Sequence, residues 1–164
     1  NDEKQIIFTD NHITNGGDDF FVRSGTAWRY KGIHTLKGKR LGIIEDYGYG
    51  DLITGFIKQH EYSAGMLDVA RGKTPLDDNL AKLLEGQIDV LVENKTVMDY
   101  KLKQTNKTDK VVWAGNASKD PVYLAFSPAL PQSKRLAAIY DAAFRSMKTK
   151  GALKEMYAVY GLTY

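Results

Sequence analysis

Two short stretches carry side chains able to hold or transform a small molecule. One is Glu45-Asp46-Tyr47-Gly48-Tyr49-Gly50 and the other is Glu93-Asn94-Lys95-Thr96. In the first, the glycines allow a tight turn and close approach of the backbone to a ligand, and the tyrosines are placed to close over a small solute. A helix beginning just after it would aim its N-terminal N–H groups at a bound anion. A plain strand-to-helix turn accounts for the same spacing equally well. The stretch is not a nucleotide phosphate loop, because no Gly-Lys-Ser/Thr follows. In the second stretch, Glu93 or Asn94 offers an acceptor for an ammonium or hydroxyl, although Asn94 is equally suited to capping the next helix. Glu45 and Glu93 together would be the pair for acid–base chemistry, a weak signal because acidic residues are common on surfaces.

Other chemistries find less support. The chain has no cysteine, which excludes disulfides, thiolate metal sites and cysteine nucleophiles. His12, His34 and His60 are far apart and match no metal-ligand spacing. No serine, histidine and acid fall into a recognisable triad context. Trp28, Arg29, Tyr30, Tyr100 and Trp113 are spread over different segments without basic interleaving, which argues against a nucleic-acid stacking platform.

The elements that would position these residues are legible in the periodicity. Strand-like runs occur at Ile6–Thr9, Phe20–Arg23, Arg40–Ile44, Met66–Ala70, Asp89–Glu93, Val111–Ala114 and Val122–Phe126. Helical spacing places Leu52, Ile53, Phe56 and Ile57 on one face within Asp51–His60, and Leu80, Leu83 and Leu84 on one face within Leu76–Glu85. A weaker helical pattern covers Thr96–Gln104. The clearest start signal is Thr74-Pro75-Leu76-Asp77, with a capping hydroxyl and proline at the first helical position, and Gly86 ends that helix. Ser133 opens a long C-terminal helix, which Gly151 separates from a shorter one. Gly16-Gly17-Asp18-Asp19 reads as a hairpin-type turn between two strands.

From Arg40 to Ala114 strands and helices alternate, which predicts an α/β fold with a largely parallel sheet and flanking helices. In such sheets ligands bind beyond the carboxyl ends of the strands, and both chemistry-bearing stretches fall there.

The 164 residues suffice for one ordinary α/β domain or two small lobes. The charge of +3 arises from 23 basic and 20 acidic residues spread along the chain, without a block that would indicate nucleic-acid binding or a polybasic membrane patch. No apolar run approaches the roughly 20 residues that span a bilayer, so direct membrane insertion is not expected. The first five residues lack signal-peptide character, so an export signal is expected to have been removed or to lie upstream.

Several segments, in order, resemble a known family. Thr35-Leu36-Lys37-Gly38-Lys39-Arg40-Leu41-Gly42-Ile43 is similar to the segment that opens the second lobe of type II periplasmic binding proteins, specifically the family 3 solute-binding proteins of polar amino acid transporters. Leu83-Leu84-Glu85-Gly86-Gln87-Ile88-Asp89-Val90 resembles their helix-to-strand junction. Ile7-Phe8-Thr9-Asp10 looks like a first-lobe strand, and Val122-Tyr123-Leu124-Ala125-Phe126-Ser127 resembles the strand returning to that lobe. Gly151 between two helices and Tyr160-Gly161 near the end also follow the pattern.

The resemblance implies two lobes, the second at residues 24–121 and an incomplete first lobe at residues 1–23 and 122–164, with crossing strands near Phe20–Arg23 and Tyr123–Phe126. It implies a periplasmic protein that binds a small polar, amino-acid-like solute between the lobes and delivers it to the membrane permease of an ABC transporter, without enzymatic chemistry and without a cofactor. The same fold also occurs in extracytoplasmic sensor domains and in a few periplasmic enzymes. By the same resemblance, Tyr47, Gly48 and Tyr49 occupy the loop that contacts the ligand carboxylate. Asn94 stands where the family commonly has an aspartate for the α-ammonium, next to Glu93, and Asp2 stands near the place of the carboxylate-gripping arginine. The altered residues leave the identity of the solute open.

Overall fold

The computed structural model describes residues 5–61, 63 and 65–160. The chain divides into two compact units, residues 16–119 and a second made of residues up to Asn15 together with those from Asp120 onward. Asp2 and Gly161 lie outside the described residues.

In the larger unit, strand β2 (Asp19–Arg23) is followed by a 3-10 turn at Ile33–Leu36, then β3 (Leu41–Ile44), α1 (Asp51–His60), β4 (Leu67–Ala70), α2 (Pro75–Glu85), β5 (Val90–Glu93), α3 (Lys95–Gln104) and β6 (Val111–Asn116). The expected alternation is present with boundaries close to those read from periodicity. The sheet order is β4-β3-β5-β2-β6. β3 runs parallel to β4 and β5, whereas β2 lies antiparallel between β5 and β6. The sheet is therefore mixed: four strands share one direction, as their helical crossovers require, and β2 is a single reversed insertion.

Phe20–Arg23, expected as a strand crossing between lobes, is thus a central strand of this unit. That position explains its composition. Phe20 and Phe21 are fully buried on opposite faces, as the two-residue period of a strand dictates. Phe20 joins Leu41, Ile43, Ile53, Phe56, Val90 and Val92 beneath α1. Phe21 joins Leu80, Leu83, Leu91, Met98 and Leu102 beneath α2 and α3. Tyr30 stacks on Phe20 at 4.3 Å between ring centres, and Trp28 meets it edge-on. Arg23, at the other end of β2, donates to the carbonyls of Leu83 (2.6 Å) and Ile88 (3.0 Å), placing its cation at the C-terminal end of α2. Gly86 ends α2 in the left-handed conformation that its missing Cβ permits. Pro75 occupies the first turn as expected, but the Thr74 hydroxyl makes no capping bond, because its residue enters the helix outside the extended backbone geometry that aims a cap inward.

In the smaller unit, β1 (Ile7–Gly16) pairs with β7 (Asp120–Phe126), followed by α4 (Ser133–Thr149) and α5 (Ala152–Val159). β1 runs well past Thr9, where the apolar pattern stops. Asp141 of α4, only 4 % exposed, accepts from the backbone N–H groups of Asp10 and Asn11 (both 2.9 Å) and from Asn11 Nδ2 (2.6 Å). Tyr157 of α5 donates its hydroxyl to the Ile13 carbonyl. Helix side chains thus hold the polar half of β1 where strand composition alone would not.

Gly16-Gly17-Asp18-Asp19 is not a hairpin: β1 and β2 belong to different sheets. Gly17 is required there by contact, since a Cβ on it would stand 2.2 Å from the Ser118 carbonyl oxygen. Gly17→Ala is expected to lower unfolding free energy by about 1–3 kcal/mol, the usual range for overpacking, measured by denaturant titration. A change indistinguishable from zero would show that the Ser118 segment yields freely.

Candidate functional site

The reversed strand β2 delivers Asp18 and Asp19 to the edge of the sheet where β3 and β5 end. Asp19 stands opposite Glu93 in register. The two aspartates then serve two different helices. Asp18 Oδ2 accepts from the Gly50 N–H (2.9 Å) at the start of α1. Asp19 Oδ2 accepts from the Lys95 N–H (3.1 Å) at the start of α3, and its Oδ1 accepts from Trp113 Nε1 (2.7 Å) on β6. Asp18 is itself held by the adjoining loop: its N–H donates to Ser118 Oγ (3.2 Å) and its carbonyl accepts from the Ala117 N–H (2.8 Å). Helix N-termini carry unpaired N–H groups and partial positive charge, and carboxylates there are favourable.

The loop between β3 and α1 closes onto this edge. Tyr49 Oη accepts from the Ile44 N–H (2.8 Å), beyond the point where the β3–β5 register ends at Gly42 and Leu91. Thr54 donates its hydroxyl back to the Tyr49 carbonyl (3.0 Å) and fixes the loop on α1. Tyr47 donates to Glu93 Oε1 (3.0 Å), and its ring meets that of Tyr49 edge-on at 5.6 Å.

Glu93 is the most enclosed charge in the site, 2 % exposed. Its Oε1 accepts from the Tyr47 hydroxyl and from the Asn94 N–H (2.7 Å). Burial pushes its carboxyl above the usual carboxylate range, and these two hydrogen bonds oppose that only in part. Burial, and then the Glu93 charge, push the Tyr47 phenol up to about 12. Burial and the surrounding acids also raise Tyr49, against the bond from Ile44.

The structure therefore brings Tyr47, Tyr49, Glu93 and Asn94 together. Asn94, however, is occupied: its Oδ1 accepts from the Thr96 and Val97 N–H groups at 2.9 and 3.4 Å, so it caps α3. Gly48 is exposed, and a Cβ there would touch nothing within 4 Å. The turn is made instead at Asp46, whose φ of 57° lies in the left-handed region. Glu45 does not join Glu93; it is paired with Arg71 at 2.7 Å. Sequence reading missed Asp18, Asp19, Ser118 and Trp113. Two adjacent aspartates ahead of a buried Phe-Phe strand were the available signal, concealed by the turn-like Gly-Gly before them.

The histidines stay apart. His60 stacks on Phe56 at 4.2 Å, and its Nδ1 lies 2.9 Å from the Phe56 carbonyl, while His12 meets the Tyr123 ring edge-on. Among the described residues no group of three or more potential ligands could hold a metal ion. A cavity of about 670 Å³ lies between α1 and β4 and is lined in part by Tyr47 and Tyr49 themselves. Its lining is apolar at Ile57, Leu67 and Val69, and one of its bordering carboxylates, Glu45, is already neutralised by Arg71. It reaches neither Glu93 nor Asn94.

Comparison with known proteins sets this edge in context. No protein-family model matches the chain, and no curated protein matches it by sequence. Solved structures do match. GshT, from a study of glutathione import in Gram-positive bacteria via GshT and the cystine ABC importer TcyBC of Streptococcus mutans, superposes with a TM-score of 0.68 at 17 % identity, covering 98 % of this chain and 64 % of its own. The probable amino-acid ABC transporter extracellular-binding protein ytmK of Bacillus subtilis gives 0.66 at 20 %, covering 97 % and 65 %. An ancestral arginine-binding protein bound to arginine gives 0.63 at 21 %, covering 97 % and 66 %. The chain thus spans just under two thirds of the length of these structures and shares the α/β fold of periplasmic binding proteins over the 97–98 % of its own length that they cover.

Two outcomes follow from the site's hydrogen bonding. Tyr49→Phe removes the acceptor of the Ile44 N–H and is expected to cost about 1–3 kcal/mol in denaturant unfolding; an unchanged midpoint would mean that another group takes that N–H. Glu93 holds its proton more tightly folded than unfolded, so the stability it confers is present below the ordinary carboxylate pKa and lost as pH rises through the raised one. Glu93→Gln is therefore expected to melt higher than the parent protein near neutral pH, with the difference vanishing as pH falls below about 4. A lower melting midpoint for the variant at neutral pH would contradict this.

Proposed function

We propose that this chain carries the solute-recognition surface of a binding protein that captures a small polar, amino-acid-like solute outside the cytoplasm and presents it to the membrane permease of an ABC transporter. The observation that carries the reading is the position of the Tyr47–Glu93–Asn94 cluster, at the carboxyl ends of β3 and β5, on a fold shared with amino-acid-binding proteins of transporters. Open α/β sheets bind ligands at those ends, because the helix N-termini and the side chains that follow each strand converge there.

Binding rather than turnover suits the site. Glu93 is held by two donors, Asn94 is committed to a helix cap and Glu45 is paired with Arg71, so the two carboxylates offered by the sequence as an acid–base pair are each engaged with other partners. Tyr47, 43 % exposed, remains as an aromatic face beside a buried carboxylate. On this reading Tyr47, Glu93 and the backbone around Gly48 touch the solute, while Tyr49 and Asn94 hold the loop and helix that carry them.

The test is thermal unfolding in the presence of individual amino acids, glutathione, polyamines and small carboxylic acids. A solute at a hundredfold over its dissociation constant should add about 2.7 kcal/mol and raise the midpoint by roughly 5–10 °C. A dose-dependent rise with one chemical class supports the proposal. The absence of any rise from folded protein across the panel would contradict it.

A further inference from the structure

The loop that carries Tyr47 and Gly48 is anchored, where it passes into α1, by a residue from a distant part of the chain. Gly50 gives its N–H to Asp18 Oδ2 at 2.9 Å. Gly50 has no side chain with which to cap α1, so the carboxylate beside the helix start comes from another segment. A negative charge is favourable there, and a charge-assisted bond is stronger than a neutral one. The packing is close on the same side. A Cβ on Gly50 would stand 3.0 Å from Asp18 Oδ2 and 3.5 Å from Ser118 Oγ. Asp18 is only 5 % exposed, so protein groups and not solvent set its position.

The backbone of the same residue binds a third segment. The Asp18 N–H donates to Ser118 Oγ (3.2 Å), and its carbonyl accepts from the Ala117 N–H (2.8 Å). One residue earlier, Gly17 lies against the Ser118 carbonyl, and Asn116 Nδ2 donates to that carbonyl at 3.0 Å. The larger unit begins at Gly16 and ends at Lys119. Both connections to the rest of the chain therefore leave it from this one place. The incoming connection, the outgoing connection and the start of α1 meet at Asp18, with Gly17 and Gly50 allowing the close approach.

The other hydrogen bonds of the loop lead elsewhere. Those of Tyr49 and Thr54 return to β3 and α1, and that of Tyr47 goes to β5. Among the described residues, the bond from Gly50 to Asp18 is the one that leads to the connections.

From this geometry we infer that Asp18 is the positioning residue of the recognition loop: its carboxylate sets where Gly50 stands, and with it Tyr47 and Gly48, while its backbone ties that placement to both connections. A solute that displaces the loop pulls on both connections together, and a change at the connections reaches the loop by the same route. The inference rests on the solute-binding reading and specifies how that recognition surface is regulated.

The test needs no solute. Backbone amide chemical shifts and hydrogen exchange are recorded on the 164-residue chain and on Ser118→Ala, Asp18→Ala, Asp18→Asn and the Ser118→Ala/Asp18→Ala double variant. Ser118→Ala changes nothing within the loop, yet it is expected to move the Tyr47 and Gly48 amides. Asp18→Ala is expected to move them too and to speed exchange at Gly50 about tenfold, as loss of one hydrogen bond allows. Exchange at Leu83 on α2 and Val92 on β5 is expected to stay as in the parent protein. Asp18→Asn, which keeps an acceptor oxygen, is expected to restore most of the protection at Gly50. In the double variant, Ser118→Ala is expected to move Tyr47 and Gly48 no further than Asp18→Ala alone. Tyr47 and Gly48 amides that Ser118→Ala leaves unmoved overturn the assignment, and this result stands even where Asp18→Ala does not fold. A rise in exchange shared equally by Gly50, Leu83 and Val92 also overturns it, since Asp18 would then only stabilise the unit. Silence of the solute panel on folded protein is a separate result: it removes solute binding and leaves the link between loop and connections in place.

Discussion

The arrangement turns on the insertion of β2, reversed, between two strands that otherwise run in one direction. Parallel strands joined by single helices leave their carboxyl ends open and lined with helix N-termini. A strand entering from the opposite direction begins at that end, so Asp18 just ahead of it and Asp19, its first residue, arrive beside two helix starts. The Phe20–Phe21 pair that follows anchors the strand in the cores on both faces, which fixes the register and the placement of the aspartates. Burial of two aromatic side chains is worth several kcal/mol. That suffices to hold acidic groups where mutual repulsion would otherwise spread them.

Stability and recognition pull in different directions at Glu93. A carboxylate with 2 % exposure and one unused oxygen lowers the stability of the free protein near neutral pH. Sites of this kind persist where a ligand restores what the free protein lacks. By contrast, Asp141 in the smaller unit is structural. Burial pushes it up, but three hydrogen bonds from Asp10 and Asn11 outweigh this and hold it below the usual carboxylate range. Two nearly buried acids thus shift in opposite directions: more donors face Asp141, and the Arg145 charge adds to them, whereas Glu93 has two donors and no such cation among the described residues.

Much of the fold was legible because it rests on local signals. The helices at Asp51–His60, Pro75–Glu85 and Lys95–Gln104 follow from apolar periodicity, Pro75 and Gly86, and the parallel direction of their strands follows from the helices between them. What escaped depends on pairing between distant residues. Nothing near Gly16-Gly17-Asp18-Asp19 reveals that the following strand inserts between β5 and β6 instead of folding back on β1. Tyr47 and Glu93 were legible as separate candidates, but their bond links positions 46 residues apart. Asn94 was readable both as a ligand contact and as a cap, and only geometry shows its oxygen spent on Thr96 and Val97.

The central claim is that the recognition surface lies at the ends of β3 and β5 and not in the depth of the cavity between α1 and β4. Backbone amide chemical shifts, recorded while a binding solute is titrated in, test it most directly. The account predicts saturable shifts centred on Tyr47, Gly48, Glu93 and Asn94, with Trp113 Nε1 moving in step. Shifts centred on Ile57, Leu67 and Val69, with the Glu93 region unmoved, would contradict it.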